Sequence, residues 1–285
     1  MRLALAGLVL ANICLACGPW LVRLADVGPL SSGFWRLALA AAPLLLIARV
    51  AGQPIGGIPR ALWPALAVAG LAFAADLAAW HSGILHTRLA NATLLGNGAS
   101  FFFPLWGFVV ARAWPGRAQI AALLLAAAGV TLLFGRSVEL SPDHVLGDLL
   151  CLCAGLFYTL YLIAMNRARG SVAPLPALAL FTLIAAVALL PFALALETAF
   201  LPRDWTPLLL LALGSQVVGQ GLLIFAMGHL SPLVVGLGLL TQPALAAAIG
   251  WVVYGERLTG MDALGMAAIL VALVLVRRQH RPAAA

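Results

Sequence analysis

The stretch LAFAADLAAWHSG, residues 71–83, holds one formal charge, Asp76, inside a long apolar run. A carboxylate at the centre of a membrane helix costs about 2.5–3.5 kcal/mol on insertion scales. Either something compensates that cost, or the run does not lie in a membrane.

Composition decides between the two. Of 285 residues, 64% are hydrophobic and 9% charged, with a mean hydropathy of +1.09. A soluble domain carries about 25% charged residues. Nine acids and sixteen basic residues cannot coat a soluble surface of this size. All sixteen basic residues are Arg. The net charge of +7 would point to nucleic acid as a partner if it formed a patch, but the arginines are scattered between apolar runs, as loop anchors are. Met1 and Arg2 precede apolar residues from Leu3 without a clean small-residue cleavage site, so the first run is expected to be retained. The cysteines form two close pairs, Cys14 with Cys17 and Cys151 with Cys153. In apolar surroundings they read as small hydrophobes rather than redox or metal ligands. No cofactor or metal is expected.

A spanning helix needs about 20 apolar residues. That window gives ten runs: Leu3–Val22, Ser32–Ala48, Ala61–Leu85, Leu89–Ala113, Gln119–Phe134, Leu146–Ala164, Pro176–Leu196, Pro207–Met227, Pro232–Tyr254 and Met261–Val276. The expected fold class is an all-α integral membrane protein of ten transmembrane helices. With a cytoplasmic N-terminus, Arg2, Arg49, Arg60, Arg112, Arg117, Arg167, Arg169, Arg277, Arg278 and Arg281 fall inside. Arg23, Arg88, Arg136, Arg203 and Arg257 fall outside, and Arg36 lies near the start of the second run. The bias places both termini in the cytoplasm by the positive-inside rule. The expected location is a bacterial-type inner membrane.

Shifting the chain by 143 residues lays Gly107-Phe108-Val109-Val110 on Gly250-Trp251-Val252-Val253 and His86 on His229. A repeat of five spans has an odd count, so its second copy crosses in the opposite sense. Residues 1–138 and 139–285 are thus expected to form two inverted five-helix repeats, a plan of secondary transporters with the substrate site between the halves.

Three further stretches carry a family resemblance. Gly147-Asp148-Leu149-Leu150-Cys151-Leu152 followed by Leu156-Phe157-Tyr158-Thr159, Val252-Val253-Tyr254-Gly255-Glu256-Arg257, and Phe34-Trp35-Arg36 resemble the drug/metabolite transporter superfamily in its ten-helix EamA-type branch. The likeness covers nearly the whole chain. The first-half counterpart of the Gly-Glu signature, Ala111-Arg112-Ala113, carries no acid. The resemblance implies export of amino acids or other small metabolites.

The polar residues within the runs are the candidate substrate-binding set. Asp76 and Trp80 share a helix face. Asp76 either holds a substrate ammonium or a coupling proton against an apolar Trp80 wall, or stays neutral as a packing element. His81 is about 140° around the helix from Asp76, and either reaches the same cavity or bonds a neighbouring helix. Thr93, Asn97, Ser100 and Pro104 form one polar stripe, with Gly96 and Gly98 beside Asn97, which either walls a cavity or makes a helix–helix contact. Tyr158, Tyr161, Gln216, Gln220 and Gln242 lie within later runs and contact either substrate or another helix. Trp80 with Phe101 or Trp106 either lines a cavity that suits an aromatic substrate or faces lipid. Trp20, Trp63, Trp114, Trp205 and Trp251 lie near run ends and read as interface anchors.

The leading function is a secondary exporter working by alternating access, with a small molecule, lipid and protons as partners. The alternative is a membrane enzyme or flippase acting on a lipid-linked substrate. No acid cluster, H-E-x-x-H pair or Walker loop occurs in the sequence, so an enzyme or an ATP-driven pump is not expected. A reporter enzyme fused to the C-terminus is expected to be active in the cytoplasm; activity across the membrane would defeat both the span count and the repeat.

Overall fold

The computed structural model describes residues 2–53, 55–56, 58–87, 89–134, 141–254 and 259–279. Among these residues the chain is all helix, with no strand. Each of the ten apolar runs falls on a helical segment. Helix α1 is Arg2–Ala16 continued by Gly18–Leu24. Helix α2 is Pro29–Val50 and α3 is Arg60–Gly83. Helix α4 is Leu89–Gly96 continued by Ala99–Ala111, and α5 is Arg117–Phe134. Helices α6, α7 and α8 are Pro142–Arg169, Pro174–Leu196 and Thr206–Met227. Helix α9 is Pro232–Leu239 continued by Thr241–Tyr254, and α10 is Gly260–Gln279. Seven are long and apolar enough to cross a membrane; Arg117–Leu133, Pro232–Leu245 and Gly260–Val276 are shorter apolar stretches.

Four helices are irregular partway along. Pro19 and Pro243 lack the N–H that would reach back four residues, to Leu15 and Leu239, and α1 and α9 break at Cys17 and Leu240. Helix α4 turns at Asn97 and Gly98. Helix α8 widens into a π-helix over Leu211–Gln220, a form that is rare and gathers at functional sites. Side chains add hydrogen bonds to carbonyls beside the breaks. The Thr93 carbonyl accepts from Asn97 Nδ2 at 2.8 Å. The Gly238 carbonyl accepts from Asn12 Nδ2 at 2.7 Å and Thr241 Oγ1 at 2.7 Å.

Helix α3 packs along α6 and also against α7; α1 packs along α8, and α8 also meets α2. Helices α2 and α7, α4 and α9, and α5 and α10 form further pairs. Apolar side chains gain little from leaving lipid for protein, so close approach through small residues has to hold such pairs. A Cβ on Gly129 of α5 would lie 2.8 Å from the Gly265 carbonyl of α10, and a Cβ on Gly265 would lie 2.7 Å from the Gly129 carbonyl. Gly83 of α3 stands equally close to Cys151 of α6, where an added Cβ would fall 2.7 Å from the sulfur.

Glu197 fastens α2 to the end of α7. Its carboxylate accepts from the Leu30 and Ser31 N–H groups, each at 2.7 Å, and from Ser31 Oγ at 2.5 Å. These are free donors of a helix N-terminus, where the dipole favours a negative charge. Trp35 Nε1 adds a bond to the Phe200 carbonyl at 2.7 Å. Near the other end of α2, Gln53 Oε1 accepts from the Leu175 N–H at 3.3 Å. In the 197–206 connection, the Thr206 N–H donates to Asp204 Oδ1 at 2.9 Å and holds that carboxyl below the usual carboxylate range.

The four cysteines are free thiols; Cys151 is buried at the α3–α6 contact and Cys153 is exposed. Trp63, Trp114, Trp205 and Trp251 are exposed near helix ends. Gly265→Ala is expected to destabilise the α5–α10 pair by about 1–3 kcal/mol, as overpacking does. Thermal denaturation in detergent would read this as a lower midpoint. An unchanged midpoint would mean that the two backbones are not in contact.

Candidate functional site

The four irregular helices converge on one cavity. Leu15, Gly18 and Pro19 come from the break in α1; Gly96, Asn97 and Ser100 from the turn in α4; Ser215 and Gln220 from the π-helical part of α8; and Leu239, Gln242 and Pro243 from the break in α9. Helix α2 contributes Arg36, α3 contributes Phe73, Asp76, Leu77 and Trp80, and α6 contributes Tyr158.

Of the residues singled out in the sequence, Asp76, Trp80, Thr93, Asn97, Ser100, Tyr158, Gln220 and Gln242 line this cavity. His81, Pro104, Tyr161 and Gln216 do not. His81 is 1% exposed and turns to α2, its Nδ1 lying 2.8 Å from the Pro29 carbonyl. A carbonyl only accepts, so that nitrogen carries the proton, and Nε2 is left without a partner among the described residues. Gln216 is fully buried one layer behind the wall. Its Oε1 accepts from Arg36 Nε at 3.2 Å, and its Nε2 donates to Thr182 Oγ1 at 2.9 Å. Of the remaining aromatic candidates, Trp106 stacks on Phe103, with centroids 5.5 Å apart and planes 8° apart, and Phe101 packs against the α5–α10 cluster. The aromatic surface in the cavity is that of Phe73, Trp80 and Tyr158.

Arg36 is the charged residue that sequence reasoning left outside the candidate set. The available signal was its position: an arginine inside an apolar run is as anomalous as Asp76. It is 5% exposed, and its guanidinium carbon lies 5.7 Å from the Phe73 ring centroid, a cation–π distance. Arg36 and Asp76 form no direct ion pair within 4.0 Å. Ser215 and Asn12 were also passed over. Ser215 Oγ and Ser100 Oγ are buried in the cavity wall with no partner among the described residues. Asn12 anchors Gln242, whose Nε2 donates to Asn12 Oδ1 at 3.0 Å.

A second network orders the α6 side. Tyr161 donates its hydroxyl to Gln220 Oε1 at 2.9 Å, and Gln220 Nε2 reaches the Tyr158 hydroxyl at 3.4 Å. The rings of Tyr161, Phe73 and Phe181 pack with centroids 4.9–5.3 Å apart. Trp80 lies on Gly96, where an added Cβ would meet the indole at 3.0 Å. The stretch that opens α6 is equally well tied, since Thr87 Oγ1 donates to Asp148 Oδ1 at 2.6 Å. Gly255, Glu256 and Arg257 lie outside the described residues. Among the described residues, no group of three or more His, Cys, Asp or Glu side chains could hold a metal ion.

Residues 145–278 match the family model described as the EamA-like transporter family. The threonine/homoserine exporter RhtA of Salmonella typhimurium strain LT2 is 29% identical over 153 residues, 53% of this chain and 51% of that protein. The chain thus spans about half the length of that relative. An uncharacterized transporter of Archaeoglobus fulgidus is 24% identical over 272 residues, covering 91% of this chain and 92% of that one. A solved crystal structure superposes with a TM-score of 0.82 over 98% of both chains at 18% identity, which speaks for the fold alone.

Cysteine placed at Asn97, with the four native cysteines replaced, is expected to react with a small water-soluble thiol reagent. Full protection of a correctly folded variant would make the cavity dry.

Proposed function

We propose that this chain, whose residues 145–278 match the EamA-like transporter family, exports small metabolites of the amino-acid type from the cytoplasm by alternating access through the cavity. The observation that carries this reading is the cavity itself: four helices lose regular geometry where they surround it, and an intramembrane acid faces into it. Secondary transporters place their substrate between halves in this way, against interrupted helices. The relative named as a threonine/homoserine exporter supports the amino-acid class.

Helix pairing supports the two-repeat organisation over residues 1–138 and 139–285. Moving every helix on by five turns α3–α6 into α8–α1, α3–α7 into α8–α2, and α4–α6 into α9–α1, all of which are packed pairs. The pairs α2–α7, α4–α9 and α5–α10 map onto themselves. That is the pattern of a twofold relation between halves, about which the cavity would open to one side at a time.

Asp76 is the acid on which transport turns, taking an ammonium or, with the site empty, a proton. The acid then stands between water and ligand rather than in lipid, which removes much of its cost. A site for a lipid-linked phosphate would call for a basic cavity, whereas one arginine here faces one acid. The location is the inner membrane with both termini in the cytoplasm.

Purified protein in liposomes, loaded with unlabelled amino acid, is expected to accumulate the labelled compound by counterflow. Asp76→Asn keeps the side-chain shape and is expected to reduce that counterflow to background while the protein still folds and inserts. Unchanged rate and pH dependence in Asp76→Asn would make the acid a packing residue.

A further inference from the structure

This inference rests on the transporter reading and concerns the charges of the ligand. Arg36 and Asp76 face one cavity and are its charged groups among the described residues. Neither is consumed by the protein. Arg36 commits Nε to Gln216 Oε1 at 3.2 Å and lays its guanidinium over Phe73. Its two terminal nitrogens, and both carboxylate oxygens of Asp76, make no hydrogen bond among the described residues. Two hydroxyls, Ser100 Oγ and Ser215 Oγ, are likewise unpartnered, on residues 1% exposed in the same wall.

The formal charges in the cavity sum to zero. An anion held at Arg36 would leave Asp76 uncompensated, and a cation held at Asp76 would leave Arg36 so. Each mismatch leaves one charge without a partner once the ligand has displaced the water around it, and such a buried unpaired charge is costly. A ligand bearing both signs on one small frame compensates both. The two free nitrogens of a guanidinium present parallel N–H groups that suit a carboxylate. The unpartnered hydroxyls add donor or acceptor capacity for the remaining positions of the two head groups. We propose that the cavity binds a small zwitterion by both poles at once, Arg36 taking its carboxylate and Asp76 its ammonium, with Gln216 as the positioning residue that aims Arg36. Gln216 suits that role because Thr182 fixes its other end, so its carbonyl has one direction in which to accept.

The test starts with the unaltered protein in detergent, titrated calorimetrically with the common L-amino acids. The best binder is compared with its carboxamide, which keeps the ammonium alone, and with its 2-hydroxy acid, which keeps the carboxylate alone. Each analogue is expected to bind about tenfold or more weaker, as when one member of a buried charge pair is left alone. Binding of either within about threefold of the amino acid overturns the proposal, as does failure of every amino acid to bind. Gln216→Glu sets a second carboxylate beside Arg36. It is expected to weaken the amino acid and favour the carboxamide relative to it; equal weakening of both would make Gln216 merely structural and overturn its positioning role. Counterflow of a singly charged compound without counterflow of any amino acid would leave the exporter reading standing and remove this one. No counterflow of any compound would remove both.

Discussion

Inside a bilayer no water is present to satisfy a peptide group, and this requirement governs the molecule. Continuous helices meet it by themselves. The four irregular helices do not, and their irregularities meet around a single cavity where side chains can serve in place of the missing turns. Asn12, Asn97 and Thr241 each donate to a carbonyl beside a break. Asn97 also lines the cavity, so one side chain serves both the backbone and the site.

The second requirement is close approach. Leu and Ala gain little from moving between lipid and protein, so packing depends on backbones that come near enough for dense contact. Gly83, Gly129 and Gly265 provide it at two different pairs, each at a distance that a Cβ would violate. Around the cavity the same economy appears as Gly96 beneath the Trp80 indole. An aromatic wall and a glycine floor make a flat surface that neither could supply alone.

Much of this was legible in the sequence, and the remainder was hidden for identifiable reasons. Apolar run length located every helical segment. The scarcity of polar residues in those runs drew attention to Asp76, Asn97, Ser100 and Gln220, which do line one cavity. Direction around each helix was not legible. A helix surrounded by lipid and by other helices is apolar on all sides, so the periodicity that orients a soluble helix is missing. For that reason His81 and Asp76 could not be separated, although one binds the Pro29 carbonyl and the other faces the cavity. Gln216 and Gln220, one turn apart, divide between the layer behind the wall and the wall itself, and a π-helical register is invisible to a pattern that assumes 3.6 residues per turn. Arg36 lies near the start of its run and so reads with the loop arginines, while the partners that place it at the site, Gln216 and Phe73, are distant along the chain.

Helix α2 is pinned to α7 near both of its ends, by the Glu197 carboxylate at one and the Gln53 amide at the other. A rod fixed at two points to a second rod can neither swivel nor slide against it without breaking one of the fixings. Mechanically the two helices are one strut, and Arg36 sits between its fixings with Thr182 of α7 bracing it through Gln216. The position of the guanidinium is thus inherited from the stiffness of a pair, while Asp76 travels on a different helix. Any relative motion of α3 against this strut changes the separation of the two charges, and the cavity's electrostatics act as a gauge of that motion.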